Sequence, residues 1–303
     1  MTPRIGMLIP DGILGRGPEP ARALLTRIAD AGIDHVASFD HVSFHDGSGT
    51  DGLIHAAALL ALEPRLPVHL GVYLLPLRHP VLVARQLADI ARFAPGRLVL
   101  GVGIGGEDRH EVEITGVDPA TRGRRTDAAI EAVRGLLSGD AISRHDEFFD
   151  FDDAIIAPAP VEPIPIVVGG RSDAAVRRAG RLGDGWLGIW CSVRRFAEAV
   201  ELAATAAHEA GRPAPTRHAM QFWCGLGARR EAARARLAPV IESFYRIPFE
   251  RFERYCPHGT PADIAEAVAP YLAAGAADVN LIPVAGDDDE AVAGVAEVRR
   301  LLA

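Results

Sequence analysis

The chain has 303 residues, 49% of them apolar, a formal net charge of −8, and 32 basic residues that are all arginine. That length supports one large core or two smaller ones. The absence of lysine excludes Schiff-base, pyridoxal and phosphate-loop nucleotide chemistry, and an acidic balance without a basic stripe argues against nucleic acid as a partner.

"RIGMLI", from Arg4, reads as a strand, and "PEPARALLTRIADAG" follows as a helix with Ala23, Ile28 and Ala31 among its helix-spaced apolar positions and Gly32 as its stop. "DHVASF" is the second strand, followed by a Gly and Ser loop and the helical "GLIHAAALLALE". "VHLGVYLL" is the third strand. The helix after it carries Pro80 in its first turn, Val83, Leu87, Ile90 and Ala94 on one face, and Pro95-Gly96 at its end. "RLVLGVG" is the fourth strand, with a helix from about Pro119 to Leu137 beyond it. The segment from 139 to 160 breaks the rhythm with hairpin-like alternation. "IPIVVGG" with "SDAAVRRAGRLG" resumes it as the fifth unit, and "DGWLGIW", "HAMQFWCGLG" and "ADVNLIP" are the sixth to eighth strands.

Eight strand-helix units in about 300 residues predict a (β/α)8 barrel, in one domain over 1–303 with an insertion near 139–160, and a working face at the strands' C-terminal rim. An open doubly wound sheet is the alternative. Apolar runs fall short of the ~18 residues a membrane helix needs, and "MTPRIGMLIPDG" lacks the features of a signal peptide, so a cytoplasmic protein is expected. Cys191, Cys224 and Cys256 have neither disulfide nor zinc spacing and read as inert.

"SFDHV" places Asp40 and His41 where the second strand ends. A histidine there exchanges a proton near neutral pH, and the adjacent carboxylate orients it or bonds a ligand. His41 and His45, with Asp40 and Asp46, also suggest metal ligands, but the spacing puts both histidines on one face only in a helix, a third cluster is missing, and no metal is assigned. "GVGIGG" matches a dinucleotide pattern, yet it lies on the fourth strand with no strand-ending acid about 20 residues on; bare backbone at Gly103, Ile104 and Gly105 instead suits the close approach of a flat ring. "VVGGRS", from Val167, runs a strand into Gly169-Gly170, Arg171 and a capping Ser172, and reads equally as a phosphate site and as an ordinary capped helix. In "GGEDRHEVE" most acids read as a solvated face, with Glu107 nominated for proton transfer. Gly71 inside the third strand marks a bulge. The three tryptophans read as wall residues, and Trp190 is placed to face a ligand.

Together, "SFDHV", "LPLRHPVLVARQLADIARFAPGRLVLGVGIGG", "GVDPATRGRRTD" and "PIPIVVGGRSDAAVRRAGRLGDGW" resemble the bacterial luciferase-like family of flavin- and deazaflavin-dependent oxidoreductases, from about residue 5 to 190. The resemblance implies a barrel that binds coenzyme F420 or FMN at its rim. The ring would lie against a non-prolyl cis peptide at Gly71 and Val72, Asp40 and His41 would meet it, and Val168, Gly169, Gly170, Arg171 and Ser172 would hold the phosphate. The Asp-His pair favours the deazaflavin and hydride transfer. A two-component FMN monooxygenase, with a separate reductase as partner, and a non-catalytic cofactor carrier are the alternatives. Gly106 intervenes before Glu107 where sugar-phosphate dehydrogenases of the family place a catalytic glutamate directly, which counts against that chemistry. A homodimer is a further expectation from the family, and the 139–160 insertion and the chain after 190 are expected to form the pocket wall.

Overall fold

The computed structural model describes residues 3–10, 12–106 and 108–303. Eight strands form its centre: β1 (Arg4–Leu8), β2 (His35–Ser38), β3 (Val68–Tyr73), β4 (Leu98–Val102), β5 (Ile166–Gly169), β6 (Gly185–Ile189), β7 (Ala219–Leu226) and β8 (Asp278–Val284). Each pairs in parallel with its neighbours in chain order, β1 with β8, and β6 with both β5 and β7, so the sheet closes into the expected barrel. Short runs of β-branched and aliphatic residues produce these strands, and those covered on both faces carry no alternation: all five residues of β4 are buried.

Helices α1 (Pro18–Asp30), α2 (Gly52–Leu62), α3 (Pro80–Phe93), α4 (Arg122–Leu136), α5 (Asp173–Leu182), α6 (Val193–Glu209), α7 (Arg230–Tyr245), α8 (Pro261–Ala273) and α9 (Asp288–Leu302) surround the barrel. Their ends follow local chemistry. Asp51, Ser172 and Ser192 cap α2, α5 and α6, and Thr260 with Asp263 forms a capping box on α8. Val83, Leu87 and Ile90 of α3 are buried as their spacing predicts, and truncating Leu87 to alanine would cost about 2–5 kcal/mol.

Two details depart from the sequence reading. The segment after β2, expected as a loop, is an antiparallel hairpin of His41–Phe44 with Ser48–Thr50. The insertion is the expected hairpin, Ile142–His145 with Asp150–Ala154, but it packs on the barrel's outside, where Ile142, Ala154 and Ile156 meet Ala84, Ala88 and Leu136 of α3 and α4. It contributes nothing to the rim cavity described next.

Candidate active site

The C-terminal rim encloses a cavity of about 1030 Å³. That is at the upper end of the roughly 300–1,000 Å³ usual for small-molecule sites, so it has room for more than one ligand. Asp40, His41, Gly71, Val72, Gly103, Ile104, Gly105, Gly169, Gly170 and Arg171 all line it. Two nominated residues do not. Val168 is buried in the core, because the β5 side chains alternate faces, and Ser172 turns away to cap α5, accepting from the amide of Ala175 at 3.3 Å. Glu107 lies outside the described residues.

His41 is oriented by a residue that the sequence reading assigned to a solvated face. Glu111, on the short helix Arg109–Glu113, is only 2% exposed and accepts from His41 Nδ1 at 3.1–3.2 Å and from the amides of Val42 at 2.6 Å and Ser43 at 3.2 Å. Burial pushes the Glu111 carboxyl up, but the bonds from His41 and the two amides outweigh it and hold it below the usual glutamate value. With an ionised carboxylate on Nδ1, a neutral His41 carries its proton there and leaves Nε2 as the base. Phe44 stacks on the imidazole at 4.1 Å.

Asp40 does not orient His41, nor is its carboxylate left open for a ligand. It is 1% exposed, and both oxygens face Arg78, with Nη1 at 2.6 Å and Nη2 at 2.7 Å, while the amides of Gly52 and Leu74 donate at 2.9 and 2.8 Å. Four donors saturate it. Burial raises its carboxyl above the ordinary aspartate value against the pull of Arg78. Asp40 therefore ties β2 to the start of α2 and to the segment after β3, which fixes where His41 emerges.

The glycine motifs interlock around one side chain. The Gly71-Val72 peptide is cis, and the register of β3 against β4 shifts there. A Cβ on Gly103 would lie 2.3 Å from Val72 Cγ2, and one on Gly169 would lie 2.7 Å from Val72 Cγ1. Val72 thus occupies the volume that side chains at both positions would fill. A Cβ on Gly71 would meet Gln221 Oε1 at 2.7 Å, an oxygen without a hydrogen-bond partner among the described residues. At the next turn Trp186 Nε1 donates to the Gly170 carbonyl at 2.7 Å, and the Arg171 guanidinium lies 5.5 Å over the Trp190 ring.

Trp190 lines the cavity as its place at a strand end suggested, and Trp223 is a wall residue, whereas Phe244 and Tyr245 were not foreseen. Phe244 and Tyr245 end α7, and with Trp223 on β7 and Trp190 after β6 they form a chain of ring contacts: His41 to Phe244 at 6.2 Å, Phe244 to Trp223 at 5.8 Å, Phe244 to Tyr245 at 4.7 Å and Tyr245 to Trp190 at 4.3 Å. The expectation that the chain after 190 walls the pocket fits this half of the lining.

His41 and His45 do not share a ligand position, since His45 faces Asp108 at 3.6 Å. A tighter group, His35, His69 and Asp278, sits away from the rim cavity. There the imidazoles stack face to face at 3.7 Å, His35 Nε2 lies 2.7 Å from Asn280 Oδ1, and Arg4 holds both Asp278 oxygens, so no metal is assigned to it.

The family model described as luciferase-like monooxygenase matches residues 4–303. An uncharacterised protein of Mycobacterium tuberculosis is 44% identical over 145 residues, 48% of this chain and 50% of that protein. An F420-dependent glucose-6-phosphate dehydrogenase of Nakamurella multipartita is 31% identical over 177 residues, 56% of this chain and 52% of that protein. The chain spans about half the length of the curated relatives it matches. Among solved structures, an F420-dependent secondary alcohol dehydrogenase bound to an F420-acetone adduct superposes with a TM-score of 0.83 at 20% identity, over 100% of both chains.

Proposed function

This chain belongs to the luciferase-like monooxygenase family, and from that premise we propose that it is an oxidoreductase that binds coenzyme F420 at the rim cavity and moves hydride to or from a small organic substrate. One observation carries the reading: His41, the Gly71-Val72 bulge and the Gly169–Arg171 turn, far apart in sequence, line the same cavity.

The lining fits a flat ring with a phosphate tail. Gly103 and Gly169 present bare backbone beside Val72, and Gln221 Oε1 offers an unused acceptor beneath Gly71. Gly71, Val72, Gly103, Ile104 and Gly105 would hold the ring; Gly169, Gly170 and Arg171, beside the N-terminus of α5, would hold the phosphate. A bound deazaflavin supplies two-electron hydride exchange. His41 Nε2 takes a proton from a substrate hydroxyl or returns one to a carbonyl, and Glu111, by accepting from Nδ1, directs the lone pair of the neutral ring to that nitrogen. The bulge and the aromatic wall exclude water from the reacting atoms.

Asp40 gives no ground for choosing between cofactors, because its carboxylate is occupied by Arg78. Support for the deazaflavin comes from curated relatives named as F420-dependent. Titrating the protein with F420 and with FMN, followed by cofactor fluorescence, tests the choice. Saturable F420 binding and weak FMN binding are expected. Tight FMN binding with none for F420 would replace this reading with an FMN monooxygenase, and binding of neither would end it.

A further inference from the structure

We propose that the substrate is an uncharged, largely apolar molecule bearing one alcohol or ketone oxygen, seated against the aromatic wall between His41 and Arg171, and that it is not a sugar phosphate. The inference rests on the cofactor reading above only in assigning the Arg171 end to the cofactor.

Charge carries the first half of the argument. Among the described residues lining the cavity, Arg171 is the one arginine, and there is no lysine in the chain. Its guanidinium lies over Trp190 beside the Gly169-Gly170 turn, the end that suits the cofactor's phosphate. The carboxylates disfavour a second anion. Asp287 caps α9 through the amide of Glu290 at 2.8 Å, Asp288 pairs with Arg16, and both line the same mouth. A phosphate dianion entering there would approach the two carboxylates, with Arg16 already paired to Asp288 and no arginine but Arg171 among the described lining residues.

Shape and chemistry carry the second half. Beside His41 the wall is made of rings: Phe244, backed by the buried Phe44 at 5.0 Å, meets Trp223 and Tyr245. Val240 and Ile282 also line the cavity. Among the described lining residues only Ser243 and Tyr245 bring hydroxyls to this wall, so a sugar would leave most of its own facing rings without partners. An apolar molecule with a single oxygen satisfies both requirements: carbon against the rings, oxygen at His41 Nε2.

Calorimetric titration of the F420-loaded protein with cyclohexanol, 2-hexanone, 2-octanone, 1-(2-naphthyl)ethanol and glucose 6-phosphate tests this. The neutral compounds are expected to bind, with affinity rising about three- to fourfold per added methylene between the two ketones. Glucose 6-phosphate is expected to give no heat and no competition. Phe244→Ala should weaken 2-octanone at least tenfold, with Phe244→Leu recovering part of the loss and F420 affinity unchanged in both. Binding of glucose 6-phosphate, an affinity that ignores carbon number, or failure of every neutral compound would overturn the proposal. The same titrations on cofactor-free protein separate the two claims. Ketone binding that tracks carbon number in a protein that takes up neither F420 nor FMN would refute the cofactor reading and leave this one standing.

Discussion

Replacing Glu111 with glutamine probes how the site holds His41. Oε1 of Glu111 receives the amides of Val42 and Ser43 and lies 3.2 Å from His41 Nδ1, while Oε2 lies 3.1 Å from the same nitrogen. A glutamine that keeps its oxygen on the two amides must therefore turn its NH2 toward Nδ1. That amide is a donor, so the imidazole is driven to the tautomer protonated on Nε2, the wrong one for a base. Exchanging charge-assisted bonds for neutral ones at a site 2% exposed should cost about 1–2 kcal/mol. For a chain of 303 residues that corresponds to a Tm drop of roughly 2–3 °C. Long-range proton–nitrogen correlation spectra of 15N-labelled protein read the tautomer directly without a substrate. The wild type should show Nδ1–H, and Glu111→Gln should show Nε2–H with F420 affinity unchanged. Where turnover is measurable it should fall about 100-fold, at the low end of what general acid–base catalysis contributes, and its dependence on pH should change shape. A wild-type His41 protonated on Nε2, or a variant with an unaltered His41 spectrum, would refute the reasoning.

Gly103→Ala puts a methyl into the space of Val72 Cγ2 and should push that side chain into the cavity, weakening F420 binding at least tenfold; Gly103→Ala with Val72→Ala should restore it, which fluorescence titration of both proteins would check. Arg78→Met leaves the buried Asp40 charge without its partner and should cost about 3–5 kcal/mol in urea denaturation, whereas Arg78→Met with Asp40→Asn should recover much of the loss. Burial lowers the proton affinity of His35, His55, His69 and His218, so the folded protein binds fewer protons than the unfolded chain. Stability should be full above about pH 6.5, the ordinary histidine value, and fall as pH drops below it toward the depressed folded values; an unchanged urea midpoint between pH 7.5 and 5.5 would contradict this.

What the sequence made legible was periodic or punctuated. Strands such as "RLVLGVG" and the Pro80 helix carry their period in consecutive residues, and the glycines at 71, 103 and 169 announce close approach because few other roles need them there. What it concealed depends on contacts between distant segments. Asp40 and His41 invite reading as a working pair because they are adjacent. In the fold, however, each takes its partner from elsewhere, Arg78 being 38 residues away and Glu111 70 residues from His41. Glu111 sits among Glu107, Asp108 and Glu113, and a five-residue helix is too short for a buried face to stand out as a period. Phe244 and Tyr245 likewise look like the end of an ordinary amphipathic helix, and only the packing of α7 at the rim brings Phe244 to His41 and Tyr245 to Trp190. The alternation of the 139–160 segment did reveal a hairpin, but not the side of the barrel it covers, since that choice is made by Ala84 and Ala88 on α3.

The central claim is that the glycine-lined hollow around Val72 receives the ring of a redox cofactor. A fluorescence titration of F420 against wild-type protein and Gly103→Val, with folding of the variant checked by circular dichroism, tests it most directly. One saturable site in the wild type, lost in a folded variant whose side chain displaces Val72 into the cavity, is the expected result. Equal F420 affinity in the two proteins would place the cofactor elsewhere and contradict the account.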